Sequence, residues 1–245
     1  NKEIQNYSKK PILNKGRLGC FDDCAAIPSH AIKVNNKIYL YYIGWTRGVS
    51  VPYMSALGLA QSSSINGSFK KYTESPILGR TNDDPIFTAS CFVEYRNKKF
   101  EMIYTSNKSW KNKPFFTPNY NLKNAYSKDG INWKTSSKFL LNKDISKEIA
   151  ITRPWVIKIK EKKILFYSYK NYKNKGRNYK IGFAENHKNQ WKRKDNKLLF
   201  KKSSNNFDKN MQEYASVIKY DNEFFMFYNG DNYGQRGIGL AKLLK

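Results

Sequence analysis

The run Ile38-Tyr39-Leu40-Tyr41-Tyr42 alternates aliphatic and aromatic residues over five positions, the length and pattern of one largely buried strand. It returns as Phe100-Glu-Met-Ile-Tyr104, Ile164-Leu-Phe-Tyr167 and Phe224-Phe-Met-Phe-Tyr228. Aligning the closing tyrosines gives spacings of 62, 63 and 61 (104−42, 167−104, 228−167). A period near sixty residues, carried by short β-rich runs, marks a repeat architecture.

Each run sits in the same local order. A first strand precedes it, Ala31–Val34, Cys91–Val93, Val156–Ile159 and Val217–Lys219, across a polar turn such as Val34-Asn-Asn-Lys37. A small-residue strand follows: Gly58–Ala60, Asn124–Tyr126, Gly182–Ala184 and Gly239–Ala241. In the middle repeats it leads through a turn to Trp133 and Trp191, with Phe69 in the matching place of the first, and these rings are expected in the core. The fourth strand is expected at Pro76–Leu78, Phe139–Leu141 and Leu198–Phe200. Four-stranded antiparallel units of this kind predict an all-β chain folded as a β-propeller. It is read as one domain with repeats at about 14–78, 79–141, 142–200 and 201–245. A helical solenoid is disfavoured because the apolar runs are short and separated by Gly, Asn and Asp. A β-sandwich with coincidental spacing is the competing architecture. An orphan copy of the fourth strand, Pro11-Ile-Leu13, opens the chain. It either completes the last repeat or ends a blade lying upstream, and the start without Met favours the second.

The 245 residues carry 45 Lys+Arg against 19 Asp+Glu, a net charge of +26. The lysines fall at successive turns rather than in one block, so a solvated surface is expected and a nucleic-acid partner is not. No window is apolar enough for a membrane span. The three cysteines and two histidines fit no zinc spacing, and neither a disulfide scaffold nor a cofactor is expected. Without a visible signal region, the reading places the chain in the cytoplasm.

In a propeller the loops entering the first strands meet at one mouth of the central channel. Counted back from the aligned tyrosines, Asp22 and Asp23 lie 20 and 19 residues upstream, Asp84 lies 20 and Glu148 lies 19. Glu213 lies 15 before Tyr228. Carboxylates gathered at one rim suit glycoside hydrolysis, in which one acid protonates the leaving oxygen and another attacks or activates water. The competing reading is that these acids cap turns or pair with basic neighbours. Arg17, Arg47, Arg80 and Arg153 are near the acids in sequence and could neutralise them or bind an anionic substrate. Trp45, Trp110 and Trp155 are candidate sugar platforms. The long inserts Thr46–Tyr53 and Lys108–Tyr120 could carry binding, with Tyr120 read as packing.

The chain resembles the five-bladed β-propeller glycosidase superfamily, which includes glycoside hydrolase families 32, 43, 62 and 68 and related proteins of bacterial polysaccharide gene clusters. The resemblance spans Gly16 to Leu243. It is carried by Gly19-Cys-Phe-Asp-Asp23 with Pro28, Gly44–Ser50, Asp84-Pro85, Ala125–Trp133, Glu148 through Arg153-Pro154, and Tyr228-Asn-Gly230. Asp84-Pro85 resembles an Arg-Asp-Pro element with Asn82-Asp83 in place of its arginine, and Glu148 resembles an acid/base glutamate followed by Ile149 rather than cysteine. The resemblance implies Asp22 or Asp23 as nucleophile or base, Asp84 as transition-state stabiliser and Glu148 as general acid. It also implies five blades, hence an N-terminal blade absent or incomplete here, and a carbohydrate partner, anionic sugars included. A carbohydrate-binding or scaffold propeller without catalysis is the alternative.

Overall fold

A computed structural model describes residues 8–113, 116–172, 178–188, 190–200, 203 and 206–243. The chain is all-β and forms a propeller. The first blade contains β1 (Ala25–Val34), β2 (Lys37–Arg47), β3 (Tyr53–Ser62) and the short β4 (Lys70–Lys71), paired antiparallel in that order. The second is β5 (Phe87–Arg96), β6 (Lys99–Lys111), β7 (Thr117–Ser127) and β8 (Lys134–Phe139). The third is β9 (Glu148–Ile159), β10 (Lys162–Asn171), β11 (Tyr179–His187) and β12 (Gln190–Arg193). A single parallel bridge, Tyr120 to Ala150, joins these two. The fourth has three strands, β13 (Glu213–Tyr220), β14 (Glu223–Asn229) and β15 (Ile238–Lys242). The first strands β1, β5, β9 and β13 pack side by side in series, so they form the inner wall.

The outermost strand differs from the sequence expectation. It is made by the residues at or just after the aromatic position (β4, β8, β12), with Phe139 closing β8, and not by Pro76–Leu78, Leu140–Leu141 or Leu198–Phe200. Those apolar runs instead plug the seams between blades. Leu78 packs with Leu57, Phe87 and Ala89; Leu141 with Leu122, Ile151 and Leu165; Leu198 and Phe200 with Phe166 and Val217. Leu13 of the orphan copy packs against Leu40, Tyr42 and Ala60 in the same manner. Seam leucines bury apolar area with at most a lone backbone bridge, such as Leu57 to Leu78, and this explains why hydrophobicity alone misplaced the edge. Trp133 and Trp191 are half-buried in these clusters. The turn before Trp133 is closed by Ser127 and Asp129, which accept the amides of Gly130, Ile131 and Asn132. Gly130 has φ +75° there, and its carbonyl accepts the Tyr41 hydroxyl of the neighbouring blade at 3.1 Å. Any Cβ at that position would lie 2.8 Å from the same hydroxyl, so glycine is required.

Every first strand carries a bulge at one level. The bulges fall at Ser29, Ser90, Arg153-Pro154 and Tyr214-Ala215, spaced 61, 63 and 61 (90−29, 153−90, 214−153). A bulge leaves backbone groups unpaired, and here side chains of the preceding blade take several of them. Ser29 Oγ accepts the Cys91 amide at 2.8 Å, Ser90 Oγ the Arg153 amide at 3.0 Å and Ser168 Oγ the Tyr214 amide at 2.8 Å. His30 Nδ1 accepts the Val93 amide at 3.2 Å, and the Trp155 indole donates to the Val217 carbonyl at 2.7 Å. Burial lowers the His30 pKa to about 4, which keeps the ring neutral and able to accept.

The recurring acids have a structural partner. Tyr42 donates to Asp22 at 3.1 Å, Tyr104 to Asp84 at 2.7 Å and Tyr228 to Asp208 at 2.9 Å, each pair twenty residues apart. Position 147, twenty before Tyr167, is lysine, and Tyr167 donates instead to Asp195 at 2.5 Å. Asp84 and Lys123 are fully buried and 3.0 Å apart. Removing one partner of such a pair strands a charge in the interior, at about 3–5 kcal/mol. Asp84→Ala is therefore expected to lower the urea midpoint by that equivalent, and Asp84→Leu with Lys123→Met to recover most of it. A single Ala variant as stable as the parent would refute this assignment.

Candidate active site at the channel mouth

Each sequence-nominated acid has partners of its own. Asp22 is held by Tyr42 and by Lys71 of β4 at 2.6 Å, and Asp84 by Tyr104, Ser106 and Lys123. Glu148 is gripped by both guanidinium nitrogens of Arg193, at 2.6 and 2.7 Å, and accepts the Asp144 amide. Asp23 accepts the Gly19 amide, which lowers its proton affinity, and serves the local turn. Among the described residues no two of these carboxylates share a hydrogen-bond or ion-pair partner.

The arginines and tryptophans separate similarly. Arg17 forms a two-point pair with Glu74 on the surface. It lines a cavity of about 420 Å³ with Asp22, Lys70 and Lys71 beside the outer strand β4, where Arg17 and Lys71 are already paired. Arg47 is exposed at the end of β2, and Arg80 is exposed with its Nε donating to the Ile86 carbonyl. Trp155 is a seam residue on the inner wall, packed edge-to-face with His30 and Phe92. Trp45 and Trp110 do meet, through Tyr53, whose ring lies 4.5 Å from one and 5.0 Å from the other.

That aromatic contact continues across the mouth. Tyr53 touches Phe87, Phe87 touches Tyr120, the Tyr120 and Tyr179 hydroxyls bond to each other, and Tyr179 packs on Tyr214 and Tyr233. All four blades contribute, because the starts of first and third strands and the ends of second strands converge here. Two cations flank the rings. Arg153 lies over Tyr214 at 4.7 Å, and Lys170, nine-tenths buried, lies over Tyr179 at 5.0 Å. A cavity of about 260 Å³ opens between inner strands, lined by Ser29, Arg153, Trp155, Tyr214, Ser216 and Asn229.

Glu213 stands at the start of β13 beside Tyr214. It is fully buried, and no hydrogen bond of good geometry reaches either carboxylate oxygen, although the Tyr214 side chain lies close enough to lower its proton affinity. Burial raises its pKa to about 8 from an ordinary 4.5, against the pull of Arg153, then Tyr214 and Lys170. Burial also lowers the Lys170 ammonium to about 8, with Glu213 opposing. Arg153 and Tyr214 both have positive φ, 53° and 58°, a conformation costly for side-chain-bearing residues. Strain, an unpaired acid and two cations thus coincide at two adjacent bulges. Lys170, Tyr179 and Tyr214 went unrecognised from sequence, since nothing in their local pattern separates a mouth residue from a core one, whereas Tyr53 closes the Thr46–Tyr53 insert that was read as able to carry binding. Among the described residues no cluster of His, Cys, Asp or Glu is arranged to hold a metal, and no helix is long and apolar enough to cross a membrane.

No family model matches the chain. An uncharacterised protein of Mycobacterium tuberculosis, Rv1502, is 27% identical over 242 residues, covering 98% of this chain and 79% of that protein. Among solved structures, one described as a glycoside hydrolase superposes with a TM-score of 0.70 at 19% identity, covering 94% of this chain and 72% of the other. The Bombyx mori family 32 β-fructofuranosidase BmSUC1 superposes with a TM-score of 0.60 at 18% identity, covering 92% and 47%. The chain has the fold of the β-propeller glycosidases.

The raised Glu213 pKa has a sign that can be checked. The folded state holds the proton more tightly than the unfolded chain, so the stabilisation is complete below about 4.5 and lost as pH rises to about 8. Glu213→Gln should remove that loss. Its urea stability is expected to exceed the parent's by a margin that grows from pH 4.5 to 8 and then levels, reaching up to about 5 kcal/mol at 1.36 kcal/mol per tenfold change in proton affinity. Parallel pH profiles would contradict the raised pKa.

Proposed function

We propose that this chain is a glycosidase-like propeller that binds carbohydrate at the channel mouth and uses Glu213 to donate a proton to the leaving glycosidic oxygen. The observation that carries the reading is the Glu213 carboxyl itself: buried, without a hydrogen bond of good geometry, held protonated toward neutral pH, and next in the chain to Tyr214 and Ala215, which line an open cavity. A general acid must keep its proton until the substrate arrives, and burial accomplishes that. Glu148, the donor implied by the family resemblance, is saturated by the Arg193 fork. In this reading it is a scaffold residue, and so are Asp22 and Asp84. The aromatic rings at the mouth supply faces for pyranose stacking.

Carbohydrate binding without turnover is the second reading. It is favoured by the closed ion pairs at Asp22, Asp84 and Glu148, because hydrolysis ordinarily calls on two carboxylates. Screening chromogenic glycosides against the parent and Glu213→Gln separates the two. The catalytic reading expects a loss of about 10²–10⁴-fold in kcat with binding retained, the usual contribution of a positioned acid. Undiminished turnover would remove Glu213 from the chemistry, and sugar binding with no turnover in the parent would establish the second reading.

A further inference from the structure

The polar groups left unsatisfied at the mouth are mostly donors. The indole nitrogens of Trp45 and Trp110 and the Asn107 amide nitrogen are buried without a hydrogen-bond partner. Asn107 is the cross-strand neighbour of both Phe87 and Tyr120, so it shares their face of the sheet. Lys170 makes no hydrogen bond or ion pair among the described residues. Arg153 donates to the Pro28 carbonyl at 3.4 Å and, among the described residues, pairs with no carboxylate. Buried donors without acceptors are costly. A ligand rich in acceptors and bearing negative charge would satisfy them, whereas a cationic or purely apolar one would not.

Building on the carbohydrate reading above, we propose that the mouth takes an acidic sugar, a uronate unit whose carboxylate is received by Arg153 and Lys170 while its hydroxyl oxygens accept from the orphan donors. The guanidinium offers a two-point fork to a carboxylate, and the ammonium adds a point charge. Tyr214 and Tyr179, over which the two cations already sit, provide ring faces beside the bound carboxylate.

Calorimetric titration of the full chain with galacturonate, glucuronate and mannuronate oligosaccharides, their methyl esters and sugar phosphates tests this directly. At least one free acid is expected to bind 10-fold or more tightly than its own ester, with the gap narrowing as salt rises. Arg153→Met and Lys170→Met should each weaken acid binding about 10-fold while leaving ester binding unchanged, and Arg153→Lys should restore part of it. Far-UV circular dichroism and melting curves check that the variants fold. Equal affinity for acid and ester, binding of no acid by the parent, or preference for sugar phosphates would overturn the proposal. Loss of turnover on a neutral glycoside in Glu213→Gln would still support proton donation, so the two readings fail separately.

Discussion

A phenol donating to a buried carboxylate twenty residues upstream is the contact on which the blades depend. Asp22, Asp84 and Asp208 lie in the loops that enter their blades, and Tyr42, Tyr104 and Tyr228 stand in the second strands. The bond fixes where the first strand begins, hence the level at which its bulge falls. Basic side chains then neutralise two of these acids from the outer half of the blade, Lys71 from β4 and Lys123 from β7. In the third blade the loop acid is missing, and Asp195 replaces it from beyond β12. Arg193 links Asp195, Tyr167 and Glu148 into one cluster. The bond survives although its carboxylate comes from the other end of the blade.

This accounts for what could be read in advance. The repeat, the antiparallel units and the core tyrosines were legible because a buried strand imposes its alternation on the residues that form it. The phase of the acids was legible too, but its cause was not. An acid at constant distance from a constant tyrosine is what a hydrogen bond between them produces, and Asp208 at the same distance from Tyr228 was the clue that favoured scaffolding. The edge strands were misplaced for a related reason. Leu78, Leu141 and Phe200 are apolar because they fill seams, while true outer strands such as Lys70–Lys71 and Gln190–Arg193 are polar and carry little signal.

The mouth was legible only in part. Arg153, Glu213, Trp45 and Trp110 were nominated from sequence, and the structure sets them around one aromatic surface. Their chemistry depends on burial and on backbone conformation, neither of which a single sequence displays. Glu213 differs from Glu148 because no arginine fork reaches it, and Arg193, which does reach Glu148, is 45 residues away in the chain. The positive φ of Arg153 and Tyr214 turns two ordinary strand residues toward the cavity.

The bulges have an evolutionary consequence. Because neighbouring blades meet through side chains that capture a displaced amide at one level, each joint follows nearly the same rule regardless of which blades it connects. A structure assembled this way can gain, lose or exchange a unit by duplication or recombination without inventing a new interface. Its mouth can then diversify one blade at a time, leaving the seams beneath unchanged.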